Sequence, residues 1–403
     1  RHPMRPAKSP PALLTLILLT AFSTLTLNMF LPSLANIAID LNADYALVSL
    51  AVAMYLGTTA VIQLIVGPLS DRLGRRPVLL WALVVFTVAS IVCALSQDVW
   101  TFLIFRMLQG GMIAGYALSL AIVRDTTTER RAAGLIGYIS MAMAVAPMLG
   151  PMLGGLLDTV FGWRANFWFY AVSGAALLSL CWLDLGETHD SGQSAATDRA
   201  AETRALLGSS KFWACTLCGT FSTAAFYVFL AGAPLVAATS FEVSTAVLGV
   251  YIGSITAGFM TGGFISGRLA PRHDPNTMMI AGRCVACGGL LLGLTFISSG
   301  IITPITYFGT TIFVGLGNGI TMPSSSAGAM SVRPKLAGTA AGLNGAFIVA
   351  CGAVFTTLTG LVVTPENGTH LLHVLMFTTS FLGLLAALWA RRLSGRAIKS
   401  HAV

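Results

Sequence analysis

Charge is scarce in this chain. Its 403 residues include only 23 Lys and Arg and 15 Asp and Glu, 9% of the total, where a soluble chain carries about 25%. So few charges cannot cover a water-facing surface, which excludes the two or three soluble domains that this length would otherwise suggest. With 55% hydrophobic residues and a mean hydropathy of +0.81, most of the chain must face lipid or other helices. Alternating segments of about ten residues are also missing, which excludes a membrane β-barrel. No Walker-type phosphate loop occurs, and GLGNG at 315–319 lacks the strand and helix context of a nucleotide loop. ATP-driven transport by this chain alone is therefore excluded. No nucleophile–base pair and no metal-spaced cluster stands out, so neither enzymatic activity nor a cofactor or metal is expected. The seven cysteines fall in or beside apolar stretches, where Cys serves as a small apolar filler. A cleavable signal peptide is not expected, because the first apolar run is too long for one and lacks a small-residue cleavage site.

What is present is a series of charge-poor stretches, each long enough to cross hydrocarbon about 30 Å thick as a helix of roughly 20 residues. They fall near 12–37, 46–66, 77–96, 100–123, 133–156, 166–183, 212–237, 245–267, 278–298, 303–330, 338–362 and 370–390. The expected fold is an all-α membrane protein of twelve transmembrane helices. Threaded through these spans with both termini in the cytoplasm, 20 of the 23 basic residues fall on the cytoplasmic side and Arg164 alone on the other. Arg106 and Arg283 fall inside spans. That bias is the positive-inside pattern. The net charge of +8 is thus a topology signal and calls for no nucleic-acid partner.

The expected organisation is a cytoplasmic N-terminus (1–11), a six-helix bundle (12–183), a polar cytoplasmic linker (184–211), a second six-helix bundle (212–390) and a cytoplasmic C-terminus (391–403). The halves repeat: GPLSDRLGRR at 67–76 and GFISGRLAPR at 263–272 agree at five of ten positions and follow the second helix of each half. Parallel repeats of six spans are how many secondary transporters are built, with the substrate site near mid-membrane.

GPLSDRLGRR resembles motif A of the major facilitator superfamily, whose fold is two six-helix halves. The resemblance implies a conformational latch at Gly67, Asp71, Arg72, Gly74, Arg75 and Arg76. Its glycines permit a tight turn, and Asp71 can face the positive end of a helix. RMLQGG at 106–111 resembles motif B of the proton-coupled branches and places Arg106 at a cavity. APMLGPMLGG at 146–155 resembles motif C, the antiporter signature, through Gly150, Pro151, Gly154 and Gly155; small residues let helices approach closely. Over essentially its whole length the chain resembles the bicyclomycin- and chloramphenicol-resistance type of drug:proton antiporter.

The departure from that pattern is the membrane-embedded acid of helix 1. LNMFLPSLANIA at 27–38 carries Asn28 where the group has Asp, and all fifteen acidic residues fall in loops or at span ends. A proton-coupled carrier needs a group that titrates, and Asn28 cannot. Coupling is then displaced to a boundary carboxylate (Asp40, Asp44, Asp71, Asp98, Asp125 or Asp158), with Asp125 and Arg106 as the first candidates. Alternatively the carrier moves an anion that answers Arg106. Arg283 is expected to snorkel to the membrane face, and His370 with His373 to form a surface pair. The helices that line the family's central cavity offer Asn28, Tyr55, Arg106, Met141, Phe226, Tyr227, Tyr251, Asn318 and Asn344 as substrate contacts.

The resemblance implies a monomeric secondary transporter of the bacterial inner membrane. It would export small amphipathic drugs or metabolites by alternating access against protons. The alternative is an organic-anion or metabolite carrier in which Arg106 contacts the anion without obligatory proton exchange.

Overall fold

The computed structural model describes residues 11–126, 146, 149–187, 204–269, 272–332 and 337–400, with the backbone alone at 67–68, 71–72, 120, 124–125, 337–339, 341–342 and 395–400. Among them every regular element is helical. The chain groups into two compact units: residues 1–193 with 244–250, and residues 194–243 with 251–403.

In the first unit the initial span is two helices, α1 (Leu13–Asn28) and α2 (Leu34–Asp40), joined by a turn and a 3₁₀ segment at Leu31–Ser33. Pro32 has no N–H to give to a continuing helix, and the pair together still spans 28 residues. There follow α3 (Tyr45–Leu73), α4 (Arg75–Leu95), α5 (Val99–Gln109), α6 (Ile113–Thr126), α7 (Leu149–Phe161) and α8 (Arg164–Asp184). A 3₁₀ turn at Gly110–Met112 separates α5 from α6, so the fourth span is also interrupted. Edge-on ring pairs bind this unit together: Phe22 on Phe86, Phe102 on Phe167, Trp163 on Phe167, and Phe167 on Tyr170, with centroids 5.3–5.7 Å apart. Such pairs add about 0.5–1.5 kcal/mol each beyond burial. In a membrane they matter more, because lipid gives little hydrophobic drive for helices to associate.

The second unit contains α9 (Ser210–Ser240), most of α10 (Thr245–Leu269), α11 (Pro275–Ser298), α12 (Pro304–Ser331), α13 (Ala337–Val362) and α14 (Gly368–Ser400). The starts of α9, α11 and α12 are capped by the side chains of Ser209, Asp274 and Thr303. Ten of the described spans are long and apolar enough to cross a membrane. α12 is not among them despite its 28 residues, since it is rich in Gly, Thr and Ser. α14 continues through the segment expected as a tail, because Arg391–Ser400 holds good helix formers and no Pro.

Motif A, residues 67–76, falls between the expected second and third spans, and here the structure differs. Residues 67–73 form the last turns of α3, and only Gly74 lies outside a helix before α4 begins at Arg75. Gly74 has φ +95°, where a side chain is strained. One residue therefore makes the whole reversal.

Candidate functional site

The most heavily furnished polar site of the first unit is built on the break in the first span. When a helix ends, its last carbonyls lose their intrahelical donors. The carbonyl of Thr26, two residues before the end of α1, is taken up by two buried side chains: the Arg106 guanidinium donates through Nη2 at 2.7 Å and the Tyr170 hydroxyl at 3.2 Å. A cation at a helix C-terminus also meets the favourable end of the dipole.

Arg106 has no solvent exposure. Its Nη1 donates to Gln109 Oε1 at 2.7 Å, and Gln109 in turn donates to Ser90 Oγ at 2.6 Å. The guanidinium carbon lies 4.1 Å from the centroid of the Phe30 ring and 4.3 Å from that of Tyr55. The Tyr55 hydroxyl shares a 2.7 Å hydrogen bond with Thr26 Oγ1. No carboxylate among the described residues pairs with Arg106; neutral oxygens and two aromatic faces hold the charge instead. Such a site can position a cation and present it to an anion, or release one contact when the helices shift.

Asn28 is buried nearby but does not bond Arg106. Its amide donates to the Thr24 carbonyl of its own helix at 2.8 Å, leaving Oδ1 buried with no partner. The residue standing where the group carries an acid is thus turned back onto α1.

α7 packs on the same break. Gly150 lies against Leu25 and the Met29 backbone, and a Cβ at Gly154 would overlap the Met29 carbonyl. Pro151 and Gly155 face residues 244–250, which group with this unit. One turn beyond Gly154, Asp158 is only 7% exposed, the only buried carboxylate among the described side chains. It accepts a hydrogen bond from the Asn36 amide of α2 at 2.9 Å. Asp40 is instead engaged with Arg164 and with Trp163.

In the second unit the expected snorkelling of Arg283 is corrected. Arg283 has no exposure, donating through Nη2 to Asn318 Oδ1 at 2.5 Å and through Nε to Thr321 Oγ1 at 3.1 Å. Both acceptors lie on α12, and they hold the guanidinium inward. The expected surface histidine pair is also corrected. His370 is exposed, but His373 is fully buried, with Nε2 3.3 Å from Thr310 Oγ1 and its ring 4.4 Å from that of Tyr307. Residues 370 and 373 lie one turn apart on the same side of α14, but only His373 is covered by its neighbours, Gly293 of α11 and Tyr307 and Thr310 of α12.

The other expected contacts are scattered. Tyr251 stacks on Phe308 at 4.7 Å, Phe226 lies 6.2 Å from Tyr227, and Asn344 is buried with Oδ1 unpartnered. Of the set, the structure brings Asn28, Tyr55 and Arg106 together on one break, and Asn318 onto Arg283. Met141 lies outside the described residues, as do the side chains of Asp71, Arg72 and Asp125, and Gly67 is described by its backbone position alone.

Sequence reasoning missed Glu187, just after α8. Its carboxylate accepts from the backbone N–H of Arg75 at 2.9 Å and of Arg76 at 3.3 Å, at the start of α4. An anion there satisfies orphan donors and the helix dipole together. A signal existed, since Glu187 is one of the two acids, with Asp184, that immediately follow the span before the linker. A Cβ at Gly74 would collide with this carboxylate. We expect Gly74→Ala to lower stability by about 1–3 kcal/mol through the disallowed φ, read as a fall in the thermal unfolding midpoint of purified protein. Glu187→Gln is expected to lower it less; a Gly74→Ala protein as stable as wild type contradicts this reading.

Residues 16–357 match the Major Facilitator Superfamily. The chain is 31% identical over 378 residues to the "Uncharacterized MFS-type transporter YdgK" of Bacillus subtilis (strain 168), covering 92% of each chain. It is 29% identical over 388 residues to the "Multidrug resistance protein MdtL" of Escherichia coli O157:H7 (strain EC4115 / EHEC), covering 93% of this chain and 94% of that one. Among solved structures, an inward-facing, occupied bacterial homologue of the human lysosomal transporter Spinster superposes with a TM-score of 0.76 at 16% identity, over 95% of this chain and 96% of that one. A D-xylose–proton symporter superposes at 0.72, also at 16% identity, over 94% and 96%. At such identities the two structures speak for the fold alone.

Proposed function

The chain belongs to the Major Facilitator Superfamily, a multi-pass membrane transporter of small molecules with the twelve-helix fold, and from that premise we propose that it exports amphipathic organic compounds against proton entry. The membrane is the bacterial inner membrane, the working unit is a monomer, and both termini are cytoplasmic. The relatives named as multidrug resistance proteins support export, as does the motif C helix packed on the break in the first span.

The observation that carries the reading is Arg106: a permanently charged side chain with no exposure, clamped between two rings and bonded to neutral oxygens. Burying such a charge costs several kcal/mol, and membrane-embedded cations mark substrate or ion pathways. Tyr55, Phe226, Tyr227 and Tyr251 supply adaptable aromatic contact. Asn28, Asn318 and Asn344 supply orienting hydrogen bonds, and Met141 completes the set. Motif A, from Gly67 through Asp71, Arg72 and Gly74 to Arg75 and Arg76, latches one conformation. Gly150, Pro151, Gly154 and Gly155 set the approach of α7 to its neighbours.

A second reading is favoured by one specific observation: no described carboxylate answers Arg106. An organic anion could supply the missing charge itself, with no obligatory proton exchange. The two readings separate in proteoliposomes loaded with the cationic dye ethidium or an anionic aromatic carboxylate, each with and without an imposed pH gradient. Gradient-stimulated ethidium transport is the expected result. Anion transport indifferent to the gradient establishes the second reading instead, and Asp125→Asn tests that residue's part in coupling in the same assay.

A further inference from the structure

The titratable group that helix 1 lacks has a counterpart on α7. Asp158 is buried, its carboxylate accepts the Asn36 amide at 2.9 Å, and its side chain also bonds that of Ser33. Ser33 closes the 3₁₀ segment after the break and Asn36 lies in the first turn of α2. Asn166 of α8 donates to the same Ser33 hydroxyl at 3.1 Å and to the Gly154 carbonyl at 3.3 Å, while its own Oδ1 is buried without a partner. The elements packed here carry three further charged groups: Asp40 at the end of α2 and Arg164 at the start of α8, which pair with each other, and Asp184 at the far end of α8, which accepts from Ala12 and Thr15. Among the described residues Asp158 therefore has amide and hydroxyl donors but no basic partner. Withdrawal from water without a countercharge favours the neutral form of a carboxylate.

We propose that Asp158 is the proton-binding residue of this carrier, taking the place of the acid absent at position 28, and that its protonation is read by the outer part of the first span through Ser33 and Asn36. The inference rests on the proton-coupled reading above. A proton from the outer aqueous phase adds to one carboxylate oxygen, which changes from an acceptor of the Asn36 amide into an O–H donor. The Ser33 and Asn36 contacts must then re-pair, and the break between α1 and α2 is where the backbone can follow. Loss of the proton from the same oxygen restores the acceptor and the original pairing. Thr26, the anchor of Arg106, lies just before the same break, so the protonation state of Asp158 and the seat of Arg106 meet on one interrupted span.

The test uses the full chain in proteoliposomes with ethidium. Asp158→Asn keeps an acceptor oxygen for Asn36 but cannot titrate. It is expected to lose all stimulation by the pH gradient while keeping gradient-free ethidium counterflow. Gradient stimulation with the wild-type pH profile in Asp158→Asn overturns the proposal; loss of counterflow together with stimulation reduces Asp158 to a structural contact and overturns it too. Should Asp158→Asn fail to insert, Asp158→Glu is expected to shift the pH midpoint of transport, and an unchanged midpoint overturns the proposal. A wild type that transports ethidium without regard to pH removes both coupling and this site. A wild type that does not transport ethidium removes the efflux reading alone. In that case pH-difference infrared spectra decide: a titrating carboxyl band lost in Asp158→Asn supports the proposal, and identical spectra overturn it.

Discussion

Arg106→Met is expected to abolish transport yet to leave a protein that inserts and unfolds at close to the wild-type temperature. The arginine donates two hydrogen bonds to neutral oxygens and lies between two rings. Charge-assisted bonds contribute about 1.5–3 kcal/mol each and desolvated cation–π contacts about 1–2 kcal/mol. Against this stands the penalty of holding a cation out of water, several kcal/mol after relaxation. The two sides nearly cancel, and a methionine of similar length refills the space with an adaptable apolar chain. The Thr26 carbonyl keeps Tyr170 as a donor, so only Gln109 Oε1 is orphaned. Stability is then expected to move by no more than about 1–3 kcal/mol, while a role that needs the charge disappears outright. Arg106→Lys separates charge from shape. An ammonium is a point charge without the planar fork, and it cannot reach Thr26 and Gln109 together while stacking on both rings. Its transport is expected to fall at least tenfold, the equivalent of about 1.4 kcal/mol. Ethidium efflux from cells expressing each variant, set beside melting curves of the purified proteins, checks both parts. Wild-type efflux by Arg106→Met removes Arg106 from the site.

The order of spans and the isolation of Arg106 are legible in the sequence because both depend on position along the chain. A charge in the middle of an apolar run must be buried or snorkel, and the Gln and glycines after Arg106 match a known pattern. Which way a helix faces is a different kind of information. Arg283 reads as snorkelling because its acceptors, Asn318 and Thr321, lie more than thirty residues away on α12, and nothing local points to them. His373 reads as a surface group because the residue three places before it is one. Glu187 caps a helix that starts more than a hundred residues earlier, a pairing that only the packing of α8 beside α4 creates. The break in the first span has a local sign in Leu31-Pro32-Ser33, yet its consequence is not local: a freed carbonyl at Thr26 that seats two side chains from other helices. Asp158 is visible as a boundary acid, but its burial depends on α2 folding over it.

Gly154→Ala tests whether that packing is as tight as the structure requires, with the second large effect. A single methyl at this position would occupy the place of the Met29 carbonyl oxygen, with the carbonyl carbon 2.6 Å and the Met29 Cγ 3.0 Å away. The obstacle is backbone, so no side-chain rotation relieves it, and α7 must move away from the break. Overpacking of a fixed interface costs typically about 1–3 kcal/mol, and here the displacement carries function with it. Asn166 loses its reach to the Gly154 carbonyl, and Asp158, one turn along, is pulled from Asn36. Gly150 faces Leu25 and the Met29 backbone at 3.1 Å or more, so its alanine variant is expected to be milder. Gly57 on α3 has nothing within 4 Å of the place an added methyl would take; Gly57→Ala therefore reports the effect of helix propensity alone, a gain of roughly 1 kcal/mol or less. The expected ranking in both melting temperature and gradient-driven efflux is Gly57→Ala at or above wild type, then Gly150→Ala, then Gly154→Ala. Efflux by Gly154→Ala should fall at least tenfold, the equivalent of about 1.4 kcal/mol, because a shifted α7 disturbs the proposed proton site at Asp158 and the packing of the break in the first span in one step. A Gly154→Ala protein that melts and transports like Gly57→Ala shows that α7 is free to slide over Met29, and the coupling route from Asp158 through Asn36 to the break loses its rigid support.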